Sequence, residues 1–291
     1  MESTTPNYGS RMNAALRRSG PLCVGLDPSA QLLGVWGHQD TAEGAREFCL
    51  TCIDALRGVV GVVKPQAAFF ERFGAAGVAV LEETCAAGQE AGLVVILDAK
   101  RGDIGTTSSA YADAYLRVGS PVSADALTVS PYLGFESLRP MLDAAQGSDR
   151  GVFVLASTSN PEAVELQSAS ISAHVTVQQD MWSRAAAENE RFLVARGLAS
   201  EPDAFGPVGL VVGATIDRKR LPLTAFNGFL LAPGLGAQGA TAHDIAELFS
   251  ECRASVVPSS SRDILVAGPN PASLAEKAKR VNDELREALQ G

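Results

Sequence analysis

The chain has 291 residues, 46% of them hydrophobic, and a formal net charge of −9, which is enough apolar material for one large domain or at most two. The acidic balance, with no Lys/Arg stripe interleaved with aromatics, argues against a nucleic-acid partner. No apolar stretch approaches the roughly 20 residues that span a bilayer, and the polar segment 1–19 lacks the apolar centre of a signal peptide, so the expectation is a cytoplasmic protein with no membrane contact.

Taken in chain order, the first apolar run, 22–26, reads as a buried strand and is followed by Asp27-Pro28. Segment 45–56 has helical spacing and contains Cys49 and Cys52. With Cys23, Cys85 and Cys252 these form an odd set in apolar surroundings, read as reduced core residues. The C-x-x-C lies inside a helix with no second Cys or His pair, so it signals neither redox nor zinc chemistry. A second strand, 59–63, precedes Lys64-Pro65-Gln66, and a helix follows over 75–91. The third strand, 93–97, runs into Asp98-Ala99-Lys100-Arg101-Gly102-Asp103. Asp98 and Lys100 are two apart, so along an extended chain they point to the same side. Asp103 falls in a Gly-flanked turn. A lysine between two carboxylates stays charged, because opposite charges favour the ionised form.

Helix 108–118, strand 126–129 with Ser130 after it, helix 137–145 and strand 152–156 come next. Residues 157–207 make an over-long connection, loop-like at 157–161 and helical over about 174–198. Long connections of this kind are lids, binding loops or plain insertions. Strands 208–212, 229–232 and 255–257, helix 242–252 and a charged amphipathic helix at 271–289 complete the chain. Eight strands alternating with helices give the count of a (β/α)₈ TIM barrel: an α/β fold, one domain over 1–291, with the insertion after strand five. A doubly wound open sheet carries the same alternation.

In such a barrel the active site gathers at the C-terminal ends of the strands. That rim would hold Asp27, Lys64, Asp98 and Lys100, with Asp103 close by. Any one of them alone reads as a solvated strand end; the set at one rim reads as function, since burying that much charge without a use is costly. Gly234-Leu235-Gly236-Ala237-Gln238-Gly239 matches G-x-G-x-x-G but stands too late in the chain to open a dinucleotide domain. After strand seven of a barrel it suits a phosphate, with glycine-loop amides turned to the anion, Gln238 donating and Arg262 adding a charge-assisted clamp. Thr241 and Asp244 are placed to form a capping box for the helix that follows. His38, His174 and His243 show no ligand spacing. A magnesium ion on Asp98 and Asp103 would compete with Lys100 for the same carboxylates.

These motifs resemble a known family. The run Leu97-Asp98-Ala99-Lys100-Arg101-Gly102-Asp103-Ile104-Gly105-Thr106-Thr107 is similar to the D-x-K-x-x-D signature of the orotidine 5′-phosphate decarboxylases, closest to the longer-chain bacterial subgroup. Gly25–Pro28, Val63–Glu71, Pro233–Gly239 and Ser260-Ser261-Arg262 agree with it, over about residues 8–289. The resemblance implies a homodimeric barrel that converts orotidine 5′-phosphate to UMP and carbon dioxide without a cofactor or metal. Lys100 then resembles the proton donor at the carbon that loses its carboxylate, and Asp98 the carboxylate against the departing group. Asp103 resembles the aspartate lent by the partner subunit, with Thr107 beside it near the ribose. Asp27 and Lys64 resemble the ribose contacts, Ser130 the serine at the pyrimidine, and Gln238, Gly239 and Arg262 the phosphate site. Asp263 departs from the pattern, placing a carboxylate beside the clamp where a small residue is expected. Related barrels that act on sugar phosphates through magnesium and an enediolate share the D-x-K-x-x-D core, and a non-catalytic phosphate binder is the reading from a different class.

Overall fold

Eight parallel strands close on themselves. They are β1 (Cys23–Leu26), β2 (Val62–Pro65), β3 (Val94–Arg101), β4 (Ala126–Val129), β5 (Gly151–Ser157), β8 (Val208–Val212), β9 (Leu230–Pro233) and β10 (Val256–Ser260), and β1 pairs with both β2 and β10. β6 (Ser170–Ser172) and β7 (Val175–Thr176) form a separate antiparallel hairpin. The structure, a computed structural model, describes residues 6–224 and 226–290. The first five residues of the polar N-terminal segment therefore lie outside the described residues.

The open doubly wound sheet is excluded by the β1–β10 pairing. Strand identity follows the apolar runs, but three boundaries move by three residues or more. β2 starts at Val62 rather than at 59, because the amides of Val59 and Val60 bond back to Leu56 and finish the helix Ala42–Leu56. β3 continues four residues beyond the expected end and carries Asp98 and Lys100 on the strand itself. β10 likewise runs on to Ser260.

The side-chain period of two sorts each strand between two cores. Outward residues such as Val24, Val63, Leu97, Leu127 and Val154 pack under the surrounding helices. Inward residues such as Val62, Ile96, Phe153, Leu231 and Val257 form a second cluster inside the barrel. The helix Tyr8–Ser19, which the polar N-terminal composition concealed, joins that second cluster through Tyr8, Met12 and Ala15. Their i, i+4, i+7 spacing puts them on one face. Asn7 caps the helix by accepting from the Ser10 amide at 3.0 Å. The Tyr8 ring lies so close over Gly151 that a Cβ there would come within 2.4 Å of it. This helix therefore plugs the N-terminal end of the barrel and leaves the other end open.

Between β5 and β8, the helix Val177–Ala195 packs Met181, Trp182 and Ala185 into the outer core. It takes the place of an ordinary barrel helix. The excess of this connection is thus 158–176: the short helix Ala163–Gln167 and the β6–β7 hairpin. All five cysteines are buried and free.

Candidate active site

The open end of the barrel holds a cavity of about 460 Å³. The strand period explains its floor. One step of two residues along the inward face leads from Val62 to Lys64, from Ile96 to Asp98, from Ala126 to Thr128 and from Val257 to Ser259, all four facing the cavity.

At the centre stands a row of charges. Lys64 Nζ donates to Asp98 Oδ2 at 3.0 Å, and Lys100 Nζ donates to Asp98 Oδ1 at 2.6 Å. Thr128 Oγ1 donates to the same Oδ1 at 2.8 Å. Burial works against the Asp98 charge, but Lys64, Lys100 and the hydrogen bonds outweigh it and bring the carboxyl down to about 2. Burial likewise disfavours the Lys64 ammonium, and Asp98 and Asp27 more than restore it, so its pKa is raised. The three side chains differ in access: Lys64 and Asp98 are 9% and 11% exposed, Lys100 45%. Lys100 is therefore the charged tip that a ligand can reach. It sits at φ +47°, in the left-handed region, where β3 loses register with β4.

Asp27 reaches the cavity from just after β1, and its Oδ1 is buried without a hydrogen-bond partner; so is Ser261 Oγ after β10. Buried polar atoms left open at the wall of a cavity are suited to a ligand's own donors. Gln238 and Arg262 line the same cavity, Arg262 following β10, the neighbour of β1. The glycine loop that carries Gln238 holds Gly234, Gly236 and Gly239 at positive φ. Its amides at Gly236, Ala237, Gly239 and Ala240 bond to carbonyls within the loop. Those four amides are thus engaged within the loop, while the side chains of Gln238 and Arg262 reach the cavity together with Gly234 and Leu235. Thr241 and Asp244 do form the capping box. Asp263, the departure beside the clamp, is paired with Lys277 of the helix Pro271–Gln290 at 2.9 Å, which neutralises it.

Six of the expected site residues thus meet in the cavity: Asp27, Lys64, Asp98, Lys100, Gln238 and Arg262. The other four stand outside its lining. Asp103 accepts a hydrogen bond from the Ile104 amide at 2.8 Å, and beyond it Ile104 and Thr107 are exposed. Ser130 faces a neighbouring apolar groove with Tyr132 and Ile171. Gly239 sits behind Gln238 in the loop. Sequence reasoning missed Thr128 and Ser159. Ser159 begins the insertion, lines the cavity and donates to Gln238 Oε1 at 2.8 Å, so the loop after β5 brings a serine to the mouth, whereas Ser130 after β4 lines the neighbouring groove. Among the described residues no group of three or more His, Cys, Asp and Glu is arranged to hold a metal, and no helix is long and apolar enough to cross a membrane.

The family model described as "Orotidine 5′-phosphate decarboxylase / HUMPS family" matches residues 20–278. The chain belongs to this family. It is 48% identical over 285 residues to the orotidine 5′-phosphate decarboxylase of Salinispora arenicola, covering 98% of this chain and 99% of that one. A crystal structure assigned to the same activity in Streptomyces avermitilis superposes with a TM-score of 0.92 at 47% identity, covering 99% of this chain and 97% of that one. The OMP decarboxylase of Leishmania donovani superposes with a TM-score of 0.75 at 31% identity, covering 98% and 100%. In each case the likeness runs nearly the length of the chain.

Proposed function

We propose that the cavity carries out the cofactor-free decarboxylation of orotidine 5′-phosphate to UMP and carbon dioxide, the chain being an orotidine 5′-phosphate decarboxylase of pyrimidine biosynthesis. The observation that carries this reading is the row Lys64–Asp98–Lys100, with its one accessible ammonium at the cavity.

Losing carbon dioxide from the C6 ring carbon leaves a localised carbanion. A fixed ammonium a few ångströms away stabilises that charge, more strongly in a cavity that excludes water than in bulk. Lys100 supplies it and then delivers the proton to the same carbon. Asp98 holds Lys100 in place and sets its own negative charge against the departing carboxylate. Lys64 keeps Asp98 ionised, and with Asp27 meets the ribose hydroxyls. Gln238 and Arg262 take the phosphate, and binding energy gathered there closes the loop that begins at Ser157–Pro161. The bond between Ser159 and Gln238 supports that role, because it already joins the two loops across the mouth.

Asp103 and Thr107 act in the site of a second copy in a homodimer. In support, residues 104–107 are exposed and include Ile104 at 61% exposure, an apolar side chain suited to an interface. The cytoplasm is the compartment that keeps five unpaired cysteines reduced.

A metal-held enediolate, as in the sugar-phosphate barrels of the same family, would set a cation against the two ammonium groups that Asp98 already holds. The deciding experiment follows the absorbance of orotidine 5′-phosphate with protein pretreated with EDTA. Full-rate loss of substrate is expected. Activity that disappears with EDTA and returns with magnesium would reverse the assignment.

A further inference from the structure

We infer that Thr128 is a positioning residue of this reaction: its hydroxyl ties the Asp98 carboxylate to the backbone of Lys100 and so fixes where the Lys100 ammonium stands. The inference rests on the reading of the cavity given above. Thr128 Oγ1 lies 2.8 Å from Asp98 Oδ1 and 2.9 Å from the backbone nitrogen of Lys100. A backbone N–H can only donate, so the hydroxyl accepts from Lys100. An ionised carboxylate can only accept, so the hydroxyl proton points to Asp98. One orientation of one side chain satisfies both.

The strand geometry shows why such a tie is needed. The β3–β4 ladder pairs Ile96 with Ala126 and Leu97 with Leu127, then resumes at Arg101 with Val129. Between the last two pairs β3 advances from 97 to 101 while β4 advances only from 127 to 129. The surplus bulges β3 and takes Lys100 into the left-handed region at φ +47°. Before the bulge, even-numbered residues of β3 bond toward β2, as Val94 donates to Gly61 and Asp98 accepts from Ala67, and odd-numbered ones toward β4, as Val95 accepts from Asp125. At the bulge the Lys100 N–H turns to β4 instead, and a side-chain hydroxyl, that of Thr128, accepts it. Thr128 is 1% exposed, so no bulk water replaces it, and its β-branched side chain has little rotamer freedom. Without the hydroxyl, the partly buried Lys100 amide loses its acceptor and the bulge loses the contact that holds it. A displacement of a catalytic group by about 1 Å can lower a rate on the order of 100-fold.

The test compares the parent protein with Thr128→Val and Thr128→Ser, measuring kcat, KM, UMP affinity and thermal midpoint. Thr128→Val should lower kcat about 10- to 100-fold, with KM and UMP affinity within about threefold and the midpoint nearly unchanged. Thr128→Ser, which keeps the hydroxyl, should restore kcat to within about threefold of the parent. If Thr128→Val does not fold, Thr128→Ala removes the hydroxyl without added bulk and reads the same way. An active parent with a fully active Thr128→Val, a Ser variant as impaired as Val, or a loss confined to KM each overturns the inference alone. A parent that does not turn over orotidine 5′-phosphate overturns the functional reading beneath it.

Discussion

The two ends of the barrel interior are made by the same strands and differ in almost everything else. At the N-terminal end, Val62, Ile96, Phe153 and Val257 meet Tyr8 and Met12 in an apolar plug. One inward position further along, roughly 7 Å at the usual strand rise, Lys64, Asp98 and Thr128 hold a network of charges and a hydroxyl. A closed parallel barrel can therefore give one layer to stability and the next to chemistry without changing its backbone. The lower layer also serves the upper one, because water kept out from below keeps the charged layer in a low-dielectric setting.

The sharpest way to break this division is Lys100→Ala. It should abolish turnover, by at least about 10³-fold, while UMP binding measured calorimetrically stays within a few-fold of the parent. Near-normal turnover in this variant would sink the mechanism. The converse is Phe153→Ala, in the apolar layer. It should cost about 3–5 kcal/mol of stability in urea unfolding, yet the folded fraction should keep most of its kcat. A variant as stable as the parent but inactive would erase the distinction between the layers.

The proposed lending of Asp103 to a second copy can be broken as well. Lys100→Ala and Asp103→Ala chains, each inactive alone, should regain about a quarter of parental activity when mixed, since half the dimers are mixed and each has one intact site. No recovery, despite subunit exchange seen by mass spectrometry, would return Asp103 to its own chain. A smaller effect lies in the pH dependence of stability. Asp98 is depressed to about 2 in the folded chain. It therefore contributes stability above the ordinary carboxylate range near 4 and loses it as pH falls toward 2. Asp98→Asn should remove that part of the acid-side slope. An unchanged slope would mean that Asp98 is not held ionised by its lysines.

Much of the catalytic layer was legible because it obeys period two. Asp98 and Lys100 share a side, and the strand-end rule brought Asp27, Lys64, Gln238 and Arg262 to the same mouth. Thr128 was not legible, because a threonine within Ala-Leu-Thr-Val reads as ordinary strand composition. Its meaning comes from the bulge opposite, which only the pairing register reveals. Ser130 and Ser159 each sit near a strand end, and nothing local tells which loop turns over the mouth. The helix Tyr8–Ser19 was hidden by average composition, although Tyr8, Met12 and Ala15 carry the period. Asp103 is a limit of another kind. The backbone places it beside the exposed Ile104, and under the proposed homodimer the groups it meets belong to a second chain.

The pairing of Asp263 with Lys277 joins the phosphate side of the cavity to the last helix of the chain. Lys277 thus neutralises the carboxylate next in sequence to Arg262, and under the proposed function the C-terminal helix tempers the charge beside the phosphate clamp. Loss of that lysine would release a negative charge next to the clamp, and the molecule would register a change on its outer surface as weaker hold on a phosphate inside.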